Sequence, residues 1–402
     1  MKLKIKASKL MSKNKSVLGS MEDRLIRIPA GLREELNIRT GSFLRLKQKG
    51  GREAVLQVMI SYLEDALEDE MQAYVSKDTH NLLKLSKISL VDPADDILVG
   101  CDPEFFLVDL KTGRTRPASH FFPYVGKLGS DCGLAELRPR PAYYEKDLTA
   151  NLLELMDKAY KRIADRVLYR KEDLAMIAAS HLNEASAGFH IHFGLPSILL
   201  DESDISGKLL KNMSYILDYY VGIPAIMPEG SEDCRRRVSG YSQYGKPGDV
   251  RADRITLEYR VPGGHLLRHP VLTAGLLGIG VVVMKDMLSR IKLYSNEYRN
   301  KNIFYEYDQL RDLYPNLPDR VEIYKSIVSP DTKNAIRHLD NIVDDLSKMI
   351  GFSENSEAVL NYFKYVLSYI RGEKKFGGNL AINWRLFDEK QPEQVAFLQS
   401  AF

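Results

Sequence analysis

Cysteine and tryptophan are scarce in this 402-residue sequence, with three of the first and one of the second. Cys101, Cys132 and Cys234 are odd in number and form no CxxC pair, which excludes a disulfide framework and a zinc ribbon. They are expected to be buried or partly buried thiols in a reducing cytoplasm. Long apolar runs are missing too. The most apolar stretch, Val271 to Met284, carries three glycines and falls short of the about 20 residues that a membrane span needs. It is expected to be a buried helix, with no membrane partner. The N-terminus lacks the apolar core of a secretion signal. An excess of one charge is also missing. The 57 basic and 54 acidic residues leave a net charge of +3, which excludes a protein whose whole surface binds nucleic acid. There is no GxxxxGK(S/T) loop, no GxGxxG after a strand, no HExxH and no GxSxG. A glycine cradle for phosphates, a lone hydrolytic zinc and a serine-hydrolase elbow are therefore disfavoured.

What is present is ordinary for a globular chain: 44% hydrophobic and 28% charged residues. At about 150 residues per domain the length suits two or three domains, or one large domain with an appendage. The charges are unevenly spread. Residues 1–60 hold 14 Lys and Arg against 5 Asp and Glu, about +9, so the remaining 342 residues carry about −6. Three segments are expected: a basic β module over 1–60, an acidic helix and linker over 61–95, and a catalytic domain over 96–402.

In the basic module, the alternation Lys2-Leu3-Lys4-Ile5-Lys6 fits a strand with one wet face, or a disordered arm. Arg24–Ile28, Phe43–Leu46 and Ala54–Val58 read as strands, with a hairpin turn at Lys49-Gly50-Gly51. Residues 61–76 read as an acidic helix with a solvated face. In the body, three apolar stripes at helical spacing predict core-facing helices. They are Leu148/Leu152/Leu155/Met156/Ala159/Ile163, Ile336/Leu339/Val343/Leu346/Ile350 with Gly351 as its terminator, and Leu360/Phe363/Leu367/Ile370. The expected class is α+β, with helices packed on a mainly antiparallel sheet.

Four strand-like segments stand out. Each places ionisable residues at i and i+2, and alternate residues of a strand share a face. Asp102 and Glu104 align in Gly100–Val108. Glu136, Arg138 and Arg140 align in Leu134–Arg140. His190 and His192 align in Gly188–Gly194, and Glu258 and Arg260 in Arg254–Arg260. A single such strand could be an ordinary half-wet one. Four that load this face with acids, histidines and arginines point to a site. Carboxylates with an imidazole suit Mg²⁺ or Mn²⁺, and guanidinium groups suit phosphate. Just upstream of the fourth strand lies a basic, glycine-containing loop with Arg235, Arg236, Arg237 and Arg251. It is either a solvated turn or a phosphate contact, and its place beside an acidic face favours the second.

Taken in order, "GCDPEFFL", "SDCGLAELRPRP", "GFHIHFG", the arginine loop and "LEYR" resemble the glutamine synthetase/glutamate–cysteine ligase superfamily, most closely the bacteriophage-type carboxylate–amine ligases. The resemblance spans roughly residues 97–290. It implies an open, curved, mainly antiparallel sheet around a funnel, with ATP at one end and the acceptor at the other. It implies ATP and Mg²⁺ (or Mn²⁺) as cofactors. Metal ligands would be Asp102, Glu104, Asp131, Glu136, His190 and Glu258. Catalytic contacts would come from Glu104, Glu136, His192 and Arg260, and ATP phosphate contacts from Arg235, Arg237, Arg251 and Arg260. Asp102 stands where glutamate is usual in glutamine synthetase. The N-terminal "RLIRIPAGLREELNIRTGSFLRL" resembles the AbrB/MazE-type swapped-hairpin module, which implies a homodimer and a nucleic-acid contact through residues 1–60.

The implied reaction is ATP-dependent. A carboxylate attacks the γ-phosphoryl group, and an amine then attacks the acyl phosphate to give an amide, ADP and phosphate. Substrates would be small-molecule or polymer-borne carboxylates and amines, and the setting cytoplasmic, a host cytoplasm for a phage-encoded chain. Two alternatives remain at this point: a DNA-binding regulator with a ligase-like sensor body, and a phosphagen-kinase-like phosphotransferase.

Overall fold

A computed structural model of the chain describes residues 97–170, 173–195, 204–238, 244–252, 256–290, 311–373 and 377–386. Before residue 97 it describes residues 77, 80, 81, Ile28 and the strand segments between 2 and 93.

The N-terminal strands close on themselves. Strands β1 (Lys2–Ala7), β2 (Leu25–Arg27), β3 (Phe43–Lys47), β4 (Glu53–Met59), β5 (Gln72–Val75) and β6 (Ile88–Pro93) form a barrel in the order β1-β5-β2-β4-β3-β6. The expected strands all appear, and β3 pairs antiparallel with β4 as a hairpin partner. One expectation is corrected. Gln72–Val75 is a strand, not the end of an acidic helix, because Ala73, Tyr74 and Val75 are buried in the barrel; residues 61–71 lie outside the described ones. The swapped-hairpin resemblance is not confirmed. β1 pairs with both β5 and β6, so the described strands close into a ring within one chain.

The body is built on an open antiparallel sheet, which bears out the α+β expectation. Its order is β15 (Val250–Ala252), β16 (Thr256–Tyr259), β14 (Phe189–Gly194), β7 (Val99–Asp109), β10 (Leu134–Leu137) and β9 (Leu128–Asp131). β8 (Thr115–Arg116) and β11 (Leu174–Ile177) join β7 alone, and β12 (His181–Leu182) and β13 (Ala185–Ser186) form a separate hairpin. β7 is the spine. It pairs with β14 along Val99–Pro103, with β10 at Glu104 and Phe105, and with β11 beyond. One face of β7, with Val99, Cys101, Phe105 and Leu107, enters the main core. On the other face Asp102 and Glu104 give way to Phe106 and Val108, which sit in a smaller apolar cluster with Leu134, Ala179 and Ala187. That second cluster closes one end of the charged face. Pro139 lies beyond the end of β10 rather than within a strand.

Helices pack on the core face. In α1 (Glu145–Arg170) the expected stripe from Leu148 to Ile163 is buried. α2 (Asp204–Leu217) runs into a π-helical turn, Asp218–Gly222, and then α3 (Ile223–Ile226). The arginine loop is in part a short helix, α4 (Arg235–Val238). α5 (Pro270–Arg290) is long and apolar enough to cross a membrane by length and composition, yet 89% of its most apolar window is buried inside the protein.

The two later stripes differ from expectation. After α6 (Arg320–Ile327), the first is split between α7 (Lys333–Ile336) and α8 (Leu339–Lys348), with Ile350 exposed. The break follows from His338, which turns inward to meet Ser326 Oγ at 3.1 Å. In α9 (Phe352–Ile370) the inward residues are Val359, Tyr362, Phe363 and Val366, whereas Leu360 and Ile370 are exposed. Gly275 of α5 explains the phase. A Cβ there would lie 2.3 Å from Tyr362 Cβ, so the glycine admits the tyrosine, whose hydroxyl donates to Pro224 O at 2.7 Å.

Candidate active site

Register brings the aligned residues of four strands opposite one another. Asp102 pairs with His190, His192 with Glu258, Glu258 with Arg251, and Glu104 with Glu136. Because each position faces the same side of the pleat as its partner, the result is one continuous charged stripe. It runs from Arg251 and Glu258 through the histidines and Asp102 to Glu104 and Glu136.

At its centre, His190 Nδ1 lies 3.4 Å from Asp102 Oδ1 and 3.3 Å from Glu258 Oε1. Asp102, His190 and Glu258 each offer a ligand atom, and these three atoms lie within 4.8 Å of one another. His192 Nε2 holds the other oxygen of Asp102 at 3.1 Å. Asp102 Oδ1 and His192 Nδ1 are buried and make no hydrogen bond, an unusual condition for buried polar atoms. Burial would raise the Asp102 carboxyl, but the charges of His192 and His190 overcome it and hold the group far below the usual range. Burial alone would lower His190, and Asp102 above all overrides it, so the imidazole is raised to about 10. Glu258 is likewise held down against its burial by the histidines.

Arginines flank this centre. Arg251 Nε contacts Glu258 Oε2 at 2.6 Å, and Arg260 Nε lies 3.4 Å from Glu258 Oε1. Asp249 Oδ1 lies 3.7 Å from Arg260 Nη1, and the Tyr244 ring covers the guanidinium at 4.9 Å. The other two expected phosphate contacts diverge. Arg235 is exposed and pairs with Glu232 at 2.8 Å. Arg237 turns into the core, pairs with Glu229 at 2.6 Å, and donates to the carbonyls of Ile327 and Ser329. A guanidinium so saturated by protein acceptors has nothing left for a phosphate, so Arg237 is structural.

At the other end of the stripe, burial raises both Glu104 and Glu136, the latter to about 8. Glu104 Oε2 accepts the Gly188 N–H at 2.6 Å, and Glu136 is in contact with Arg138 Nη2. Gly188 is there for space. A Cβ would stand 2.3 Å from His190 Nε2. Asp131 sits at the end of β9, near enough to raise Glu136 but outside the three-ligand cluster, and exposed Cys132 follows it rather than being buried.

Several contributors were given no metal, catalytic or cofactor role in the sequence. Arg138 had a visible signal, since it shares the face of Glu136. Arg236 did not. It is fully buried and donates to Val261 O at 2.8 Å and Arg260 O at 2.9 Å. Asp218, 41 positions from Tyr259, accepts its hydroxyl at 2.9 Å, and burial raises that carboxyl to about 8.

Residues 99–359 match the family described as phage phiEco32-like COOH·NH2 ligase-type 2, and the chain belongs to that family. No curated protein matches the sequence. Among solved structures, ligand-free GmaS is similar at 12% identity, covering 86% of this chain and 96% of its own, with a TM-score of 0.41. The complex of the prokaryotic ubiquitin-like protein Pup with its ligase PafA gives 13% identity, 76% and 70% coverage, and a TM-score of 0.42. A glutamine synthase homologue gives 11% identity, 90% and 98% coverage, and 0.36.

Proposed function

We propose that the protein is an ATP- and Mg²⁺-dependent ligase that joins a carboxylate to an amine through an acyl phosphate, releasing ADP and phosphate. The observation that carries this is the convergence of Asp102, His190 and Glu258, with two arginines held against Glu258. The donor set fits a hard divalent ion, Mg²⁺ or Mn²⁺. Adjacent ligands around an octahedral ion with bonds of about 2.0–2.1 Å lie about 3 Å apart. The observed separations of 3.3 and 3.4 Å need little adjustment to match. The buried Asp102 Oδ1 makes no hydrogen bond and faces His190 Nδ1 at 3.4 Å, which leaves it a lone pair for a cation. Glu104 and Glu136, with Asp131 beside them, would hold a second ion at the acceptor end. Bound ions would neutralise charge on the phosphates.

The chain's own groups do the rest. Arg251 and Arg260 present guanidinium forks beside Glu258, where the transferred phosphoryl oxygens need compensation. His192 fixes the orientation of Asp102. A substrate carboxylate oxygen attacks the γ-phosphorus while the bond to ADP breaks. The amine nitrogen then attacks the acyl carbon, phosphate leaves, and an acid of this face takes the ammonium proton. The substrates are a carboxylate and an amine, small or polymer-borne. The three free thiols suit a reducing cytoplasm.

The test is isotopic. With ATP, Mg²⁺, an amine and a carboxylate labelled with ¹⁸O, released phosphate should carry one labelled oxygen. Unlabelled phosphate accompanying amide formation would overturn the acyl-phosphate route.

A further inference from the structure

We propose that Asp218 is a positioning residue for Arg260, tying the loop Tyr244–Asp249 to strand β16 from beneath the site. The proposal rests on the ligase reading above.

Asp218 is fully buried at the start of the π-helical turn. Its two oxygens accept from two different elements. One takes the Tyr259 hydroxyl at 2.9 Å, and the other takes the Gly248 N–H at 2.8 Å. Tyr259 stands between Glu258 and Arg260 on the strand. Its side chain passes to the core while theirs face the site. Gly248 precedes Asp249, which holds Arg260 twice. The Asp249 carbonyl accepts the Arg260 N–H at 2.9 Å, and its carboxylate faces Arg260 Nη1 at 3.7 Å. The same carboxylate accepts the Gly245 N–H at 3.2 Å, next to Tyr244 with its ring over the Arg260 guanidinium. Asp218 thus links the back of the strand to the loop that aims the arginine on its front.

Local features are arranged for this link. Gly222 leaves room for the Tyr259 hydroxyl, which a Cβ would meet at 2.4 Å. Gly248 adopts φ +78°, a left-handed conformation that turns its N–H toward Asp218. A π-turn inserts one extra residue into the helix and re-aims its neighbours, as such turns frequently do at functional sites. A buried carboxyl is costly unless its partners satisfy it, and here both partners belong to the Arg260 support.

The experiment uses the full-length protein with Asp218→Asn, Asp218→Ala, Tyr259→Phe and the Asp218→Ala/Tyr259→Phe double variant. Calorimetry measures binding of Mg·ATP and, separately, of Mn²⁺ alone. Hydrogen exchange follows residues 244–252, with α5 as the internal control. Asp218→Ala should weaken Mg·ATP about tenfold, as loss of a buried hydrogen-bond acceptor implies. Mn²⁺ binding should be unchanged, and exchange should rise in the loop but not in α5. Asp218→Asn keeps one acceptor and should fall between. The double variant should be no weaker than Asp218→Ala. A merely structural role would lower the melting temperature without separating the two affinities. Should Asp218→Ala fail to fold, Asp218→Asn and Tyr259→Phe carry the test. Mg·ATP affinity equal to wild type in the folded variants, or equal losses for Mg·ATP and Mn²⁺, would overturn the positioning role alone. A wild-type protein that binds no Mg·ATP would overturn the ligase reading itself, and this role with it.

Discussion

His190 Nδ1 stands 3.3 Å from Glu258 Oε1 and 3.4 Å from Asp102 Oδ1, so one imidazole nitrogen is shared by carboxylates from the strands on either side of its own. The arrangement holds a proton in the protein as described, and the same three groups are suited to hold a cation in its place.

That exchange predicts a pH dependence. His190 is raised to about 10, so at neutral pH it carries a proton that an ion must displace. Ion affinity should therefore rise with pH, by up to about tenfold per unit, with proton release on binding. Mn²⁺ titrations followed by electron paramagnetic resonance at two pH values check this. His190→Asn should bind more weakly and lose most of the dependence.

Gly188→Ala tests the space at the centre of the stripe. The added methyl would lie 2.3 Å from His190 Nε2 and displace the ring. The expected loss of stability is about 1–3 kcal/mol from overpacking, measured by denaturant titration. Mn²⁺ affinity should fall about tenfold as ligand orientation is lost.

The two neighbouring arginines should behave oppositely. Arg237→Met breaks a buried pair and leaves Glu229 without its partner, which should cost about 3–5 kcal/mol. Arg235→Ala removes only an exposed pair with Glu232 and should change stability by less than about 1 kcal/mol. Chemical denaturation of both variants decides it.

Asp218 links stability to pH. Burial raises its carboxyl from 3.8 to about 8, so across that window the folded chain keeps a proton that the unfolded chain has lost. Its contribution to stability should decline as pH rises through the window, by at most about 1.4 kcal/mol per unit. Asp218→Asn should flatten the profile in thermal melts across pH 5–8.

The charged face was legible because its signal is local. Asp102 and Glu104, or His190 and His192, share a face by strand periodicity alone, and register then sets Asp102 against His190 and Glu104 against Glu136. What stayed hidden depends on distant partners. Arg237 looks like its neighbours in the sequence, and only Glu229 and the Ile327 and Ser329 carbonyls turn it inward. The phase of α9 depends on Gly275, some 87 positions before Tyr362, and barrel closure depends on β5 and β6 returning to β1. Such tertiary choices override helical and strand periodicity.

The most direct measurement is phosphorus magnetic resonance of the full-length protein with ATP, Mg²⁺ and a panel of carboxylates, each with and without amines. ADP and phosphate should appear, amide formation should require both substrates, and Glu104→Ala and Glu258→Ala should abolish turnover. AMP with pyrophosphate, a phosphorylated guanidine formed without an amide, or unchanged turnover in both variants would contradict the account.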